Sequence, residues 1–263
     1  MARLDGNVLV TGATGGIGQA IARAFAARGA RLVVSGRRQD VLESLAGEVR
    51  GRPIVCDLAE RRDLERLVAE AGEVDVLVAN AALPASGVFT ELGQADIDRM
   101  LEVNLRAPIA LTRGIAPAMI NRGHGHIVLI SSLSGKVASP ASAIYSASKF
   151  GLRGFALGIR EDLAPHGIGV SVVLPGFISE AGMFADAGVQ LPRRVGTRSP
   201  EDVAAAVIRA VERDRAELEV APLGLRLGAA FGGLAPGLAA SVSRRLGGNQ
   251  VAADIAAGQQ DKR

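Results

Sequence analysis

The sequence predicts an α/β fold, a doubly wound parallel sheet in a single domain. Three observations carry this expectation. Short β-type runs alternate with longer helical patterns along the chain. The strand runs are continuously apolar rather than alternating, which suits a parallel sheet covered on both faces. The first run, VLV, passes through a glycine-rich turn straight into a helical pattern. A chain of 263 residues, 48% hydrophobic, has ample material for a large core.

Taken in order, Asn7–Val10 is the first strand, and Gln19–Arg28 carries Ala and Ile on a helical stripe that Gly29 ends. Arg31–Ser35 is the second strand, Asp40–Val49 a helix, Pro53–Cys56 the third strand and Glu60–Ala71 a further helix. Asp75–Ala79 (DVLVA), His126–Ser131 (HIVLIS) and Ile168–Leu174 (IGVSVVL) complete six strands. Residues 177–199 mix Gly, Pro, Arg and Phe without periodicity, as a lid over a site would. The domain is expected to span residues 1–221. Residues 222–263 then form an apolar C-terminal tail, rich in Gly, Ala and Leu, expected to be helical and to pack on the domain or on another subunit. Arg226 and Pro236 interrupt that tail, so it is a poor transmembrane span. A second reading gives it peripheral membrane contact, with Arg244 and Arg245 near headgroups.

Composition excludes several classes. A net charge of +3, with a single Tyr for base stacking, argues against a nucleic-acid partner. Cys56 stands alone, so neither an internal disulfide nor a Cys-based metal site is expected. His124, His126 and His166 are too dispersed in sequence for a metal site or a Ser-His-Asp arrangement. The N-terminus MARLDGNVLV lacks the pattern of a signal peptide, and a cytoplasmic location is the simplest expectation.

TGATGGIGQA, Thr11 to Ala20, holds two glycine spacings: Gly12, Gly16, Gly18 and Gly12, Gly15, Gly18. Such glycines let the backbone turn tightly and approach a pyrophosphate at a helix N-terminus. No Lys-Ser/Thr pair follows, which argues against a phosphate-binding loop of the NTPase type. The second strand ends VVSGRRQD, with Arg37 and Arg38 where a carboxylate would hold the ribose of NAD. Arginine suits a 2′-phosphate, so NADP(H) is expected as the cofactor, with NAD(H) as the alternative.

YSASK sets Tyr145 and Lys149 four apart on one helix face. A phenol near pKa ~10 is a poor base, and a nearby ammonium is expected to lower it. The pair can then exchange a proton with a carbonyl or alcohol oxygen. With TGATGGIG at 11–18, Asp57 after the third strand, NAA at 80–82, Asn104 in EVNL, Ser131-Ser132 and Pro175-Gly176, the chain resembles the short-chain dehydrogenase/reductase family, in its compact single-domain branch with a Rossmann fold.

That resemblance implies a dehydrogenase or reductase acting on CH–OH groups of a small molecule, and the apolar residues of 177–199 point to a hydrophobic one. Tyr145 would be the general acid/base, Lys149 would lower its pKa and hold the nicotinamide ribose, and Ser132, thirteen residues before Tyr145, would bond the substrate oxygen. Asn104 would hold a water linking Lys149 to solvent. Asp57 and Leu58 would meet adenine, and Asn80 would order the sheet nearby. Gly12, Thr14, Gly16, Ile17, Gly18, Arg37, Arg38, Pro175, Gly176 and Ile178 would complete the cofactor site. Read from the residues alone, Phe177, Met183, Phe184 and Leu191 either line an apolar substrate pocket or pack the lid on its own domain. A homodimer or homotetramer, with helices around Asn104 and Tyr145 at the interfaces, is implied as well.

The chain departs from the family pattern twice. Ala79-Asn80-Ala81-Ala82 replaces the frequent N-N-A-G, which alters a turn. Glu180 stands where a Thr often touches the nicotinamide, so either Ser179 takes that contact or it is lost. Two competing functions are weighed. A nucleotide-sugar epimerase or dehydratase fits the Gly12, Gly15, Gly18 spacing, but that branch carries a longer C-terminal domain. A non-catalytic nucleotide-binding scaffold would have lost Ser132, Tyr145 or Lys149, and all three are present.

Overall fold

The computed structural model describes residues 3–84, 87–179, 196–238 and 241. Seven parallel strands form one sheet in the order β3-β2-β1-β4-β5-β6-β7. In chain order these are β1 (Asn7–Thr11), β2 (Arg31–Gly36), β3 (Arg52–Val55), β4 (Val76–Ala79), β5 (Gly125–Ile130), β6 (Ile168–Pro175) and β7 (Glu217–Val220). The helices are α1 (Gly16–Ala26), α2 (Gln39–Val49), α3 (Arg61–Ala71), α4 (Gln94–Leu101), α5 (Ala107–Arg122), α6 (Ala143–Leu163), α7 (Pro200–Arg213) and α8 (Leu223–Leu234).

The apolar runs explain the layering. Side chains alternate across a strand, so a strand that is apolar throughout feeds two cores. Leu9, Leu77, Ile127, Leu129 and Val172 share one face with α3, α5 and α6 through Leu67, Leu111 and Leu152. Val8, Val10, Val76, Val78, Val128 and Val173 share the other with α1, α2 and α7 through Phe25, Leu42 and Val207. Cys56 is buried, and burial pushes its thiol up to about 12.

The six expected strands are present to within a residue or so at each end. Helix α1 opens at Gly16 rather than Gln19, because the last glycines of the turn already wind into the helix. The seventh strand went unread because Glu217-Leu-Glu-Val220 alternates, as a half-buried edge strand does, and continuous apolar runs miss it. Its acids are answered from three directions. Lys136 Nζ lies 2.7 Å from Glu219 and also pairs with Glu217, Arg153 pairs with Glu217, and Arg226 Nε lies 2.9 Å from Glu219.

Helix α7 follows the cap Ser199-Pro200-Glu201-Asp202, where the Ser199 hydroxyl accepts from Asp202 N–H and the Asp202 carboxylate accepts from Ser199 N–H. At the far end of the sheet, His126 Nε2 lies 2.8 Å from Ser171 Oγ. The histidines are therefore less isolated than their spacing suggests. Ser171 is nevertheless completely buried, and Asp214 nearby is held by Arg160, so no substrate reaches this pair. Among the described residues, no group of His, Cys, Asp and Glu could hold a metal ion.

Candidate active site

The strand order reverses at β1: β2 and β3 lie on one side, and β4 to β7 on the other. A sheet of this kind opens a crevice beyond the carboxyl ends of its strands at that reversal. The glycine turn lies there. Gly12 has φ +64, and a Cβ on it would fall 2.7 Å from the backbone of Ala81. A Cβ on Gly18 would fall 2.3 Å from the Gly12 carbonyl oxygen, whereas one on Gly15 would meet nothing closer than 3.5 Å. Gly12 and Gly18 are sterically obligatory and Gly15 is not, so the second glycine spacing has no steric basis. Asn80 fastens the turn: its Nδ2 donates to the carbonyls of Thr11 (3.1 Å) and Gly12 (3.2 Å), and its N–H donates to Thr11 Oγ1.

At the end of β2, Gly36 lies under Thr14, whose Cγ2 would be 2.7 Å from an added Cβ. Arg38 reaches back from the start of α2 and donates to the Thr14 carbonyl, while Arg37 is exposed beside it. Ile17 is half-buried beneath the turn. Asp57 Oδ1 accepts from Ala59 N–H at 3.0 Å, and Oδ2 accepts from Arg99 Nη2 at 2.9 Å. Burial works to raise the Asp57 pKa, but those two bonds and the charges of Arg99 and Arg37 hold it below the ordinary carboxylate range. Leu58 is buried beside it. Arg99 was not singled out from the sequence, because one arginine on the polar face of ADIDRML carries no local signal.

Helix α4 runs into a single π-helical turn, Glu102–Arg106, before α5. The fully buried Asn104 sits in that turn. Its Oδ1 accepts from Leu83 N–H at 2.7 Å and its Nδ2 donates to the Leu83 carbonyl at 3.0 Å. The side chain thus clamps the loop after β4 with one lone pair and one N–H of its amide. Leu83, Met100 and Val103 form a small cluster against which Tyr145 and Ile144 pack.

The two serines after β5 separate cleanly. Ser131 is buried and its Oγ donates to the Lys149 carbonyl at 2.9 Å. Ser132 is half-buried, its Oγ accepts from Ser134 N–H at 3.1 Å and donates to the Pro175 carbonyl at 3.4 Å, close enough to Tyr145 to draw its pKa down. Gly135, likewise unnoticed in the sequence, lets α6 pass: a Cβ there would lie 2.7 Å from the Lys149 carbonyl. Tyr145 and Lys149 share the first turns of α6, with Lys149 Nζ 5.7 Å from the ring centre and donating to the Ile130 carbonyl at 3.0 Å.

The expected lowering of the Tyr145 pKa is not what the chain alone provides. Burial pushes Tyr145 up to about 12, with the Ser132 hydrogen bond drawing it part of the way down. Burial also brings Lys149 down to about 8. Both shifts disfavour the charged form, and the Lys149 ammonium is held by the Ile130 carbonyl.

Pro175 ends β6, and Gly176 N–H donates to the Val220 carbonyl, with Ala221 and Leu133 packed closely on it. Ile178 is buried and pairs with Arg198, alongside Phe177. Ser179 N–H and hydroxyl both bond the Arg198 carbonyl, so that side chain is engaged locally. Glu180, Met183, Phe184 and Leu191 lie outside the described residues.

Comparison with known proteins places this crevice in context. A family model described as "short chain dehydrogenase" matches residues 6–190. A ketoacyl reductase, HetN, of Nostoc sp. is 37% identical over 222 residues, covering 81% of this chain and 77% of its own. The dehydrogenase/reductase SDR family member 7B of Xenopus tropicalis is 35% identical over 242 residues, covering 83% and 78%. Among solved structures, a short-chain dehydrogenase from Sphingobium yanoikuyae in complex with NADPH superposes with TM-score 0.77 at 29% identity, covering 88% of this chain and 94% of that one. An actinorhodin polyketide ketoreductase with NADPH gives TM-score 0.76 at 32% identity, covering 84% and 98%.

Proposed function

The chain belongs to the short-chain dehydrogenase/reductase family, and on that footing we propose that it interconverts a carbonyl and a secondary alcohol on a small apolar molecule, with NADP(H) preferred to NAD(H). The observation that carries this reading is the convergence of Ser132, Tyr145 and Lys149 beside the crevice.

The residues present fit a dinucleotide. Gly12, Gly18 and Gly36 keep backbone and Thr14 in close approach, so that no Cβ obstructs the phosphate path. Thr14, Gly16 and Ile17 would offer the start of α1 to the pyrophosphate. Arg37 and Arg38 would take the 2′-phosphate, and Asp57 with Leu58 the adenine. Asn80, Lys149, Pro175, Gly176 and Ile178 would border the nicotinamide half. When bound, the nicotinamide gives or takes the hydride.

The protein's part is the proton. A phenol held near pKa 12 stays protonated at neutral pH and can donate to a carbonyl oxygen as charge develops there. Ser132 would bond the same oxygen, and the Lys149 ammonium would stabilise the phenolate left behind. Asn104 would act by holding Leu83, and with it the wall on which Tyr145 packs.

The test is a carbonyl panel with NADPH and NADH. Since related proteins are named ketoacyl reductases, 3-oxoacyl thioesters head the panel. Tyr145→Phe should lower turnover by at least about 100-fold while leaving NADPH affinity in place. Full activity in that variant would overturn the role of Tyr145, and a preference for NADH would overturn that of Arg37 and Arg38.

A further inference from the structure

Helix α8 is built inside out. Its inward side is small, with Ala229 and Gly232 buried and only Leu225 reaching the core. Its bulk faces outward: Leu223 is 66% exposed, Leu227 62%, Phe231 47% and Leu234 88%, and Leu238 just beyond is 65% exposed. Steps of four, four and three residues set Leu223, Leu227, Phe231 and Leu234 on one stripe, and Leu238 lies beyond the end of the helix. No charge interrupts it, because Arg226, the one charged residue of α8, is turned aside onto Glu219. Contiguous apolar surface of this kind marks an interaction site.

We propose that this stripe docks the protein on an anionic lipid surface. Charge chooses the occupant. From Leu227 to Ala253 the sequence carries two arginines, Arg244 and Arg245, which lie outside the described residues, and not one carboxylate, while Arg226 is committed to Glu219. An apolar stripe in a basic, acid-free stretch matches the boundary between acyl chains and anionic headgroups. A second copy laid on the same stripe would instead bring two acid-free basic tails together. Residues 242–263 contain only Val242, Leu246, Val251 and Ile255 as large apolar side chains, spread among polar ones, to cover four leucines and a phenylalanine. Docking in the plane of the surface is the only mode open to α8, since no helix among the described residues is long and apolar enough to cross a membrane.

The location gives the docking a use. Helix α8 starts directly after Ala221, which packs on Gly176, and Pro222 lies against Gly196 where the chain returns from the lid segment. The stripe therefore sits at the carboxyl edge of the sheet, beside the crevice. A protein seated on lipid by α8 would meet apolar substrates where they are most concentrated.

Flotation of the full-length protein with vesicles tests this without substrate or cofactor, so it stands or falls apart from the catalytic reading. Vesicles of phosphatidylcholine mixed with phosphatidylglycerol should bind at least about tenfold more protein than phosphatidylcholine alone, and high salt should weaken the binding. Leu227→Asp with Leu234→Asp should lose about tenfold or more, as should Arg244→Glu with Arg245→Glu, with thermal midpoint and NADPH affinity unchanged. Leu234→Ser, at the most exposed position, replaces the double variant if that one fails to fold. Equal binding by the variants overturns the proposal, as does no binding by the parent protein. In the latter case a drop in mass of the leucine variant, by light scattering, assigns the stripe to a second copy, and an unchanged mass leaves it to residues 242–263.

Discussion

Tyr145 is the only tyrosine in a chain without tryptophan, so its ionisation can be followed directly by absorbance. Burial should hold tyrosinate formation well above pH 10, toward the value of about 12. The Ser132 hydrogen bond lowers the pKa, so Ser132→Ala should move the midpoint higher still. An unchanged midpoint in that variant would show that the two hydroxyls do not communicate. At this scale the sequence names residue types but not which neighbour each one has. Adjacent Ser131 and Ser132 look alike, yet one is occupied by the Lys149 carbonyl and the other turns toward Tyr145. Asn104 was legible as a position, but not its attachment to Leu83, because that pairing joins residues 21 apart through a turn with no compositional trace. Arg99, which meets Asp57 across 42 positions, was hidden for the same reason.

Elements were legible where burial dictates composition. A strand covered on both faces must be apolar throughout, so β1 to β6 announce themselves. Strand β7 alternates because one of its faces meets Lys136, Arg153 and Arg226 rather than an apolar layer, and the π turn at Glu102–Arg106 needs only one extra residue per turn, which any helical sequence can supply. The start of α7 was readable in principle, since Ser199-Pro200-Glu201-Asp202 joins a capping hydroxyl, a proline at the first helical position and an acid three residues on. Ser199→Ala should cost about 1 kcal/mol in urea unfolding, with Ser199→Asp largely restoring it. Since α7 packs on α1, loss of the cap should be felt as global stability rather than local fraying.

Over the whole molecule, one buried base ties stability to pH. Burial lowers His126 to about 4, below its ordinary value of about 6.5. An unfolded chain accepts the proton that the fold refuses, so stability should be fully present above pH ~6.5 and fall as the pH drops toward 4. The loss should reach about 3 kcal/mol, and His126→Gln should flatten the slope in that window whatever it does to the baseline. An unchanged slope would remove His126 as the cause. Carboxylates held low by arginine partners, such as Asp57, begin to lose their contribution only below about pH 5, so the stretch from about pH 6.5 to 5 reports His126. The sheet that carries His126 also ends in two guarded borders. On one side Pro53 removes a donor from β3, and on the other Glu217 and Glu219 of β7 are committed to Lys136, Arg153 and Arg226. A parallel sheet of seven strands could otherwise recruit an eighth from any neighbour. Because one border lacks a hydrogen and the other has its acidic side chains tied back by three cations, neither border offers an unguarded strand to a neighbouring chain.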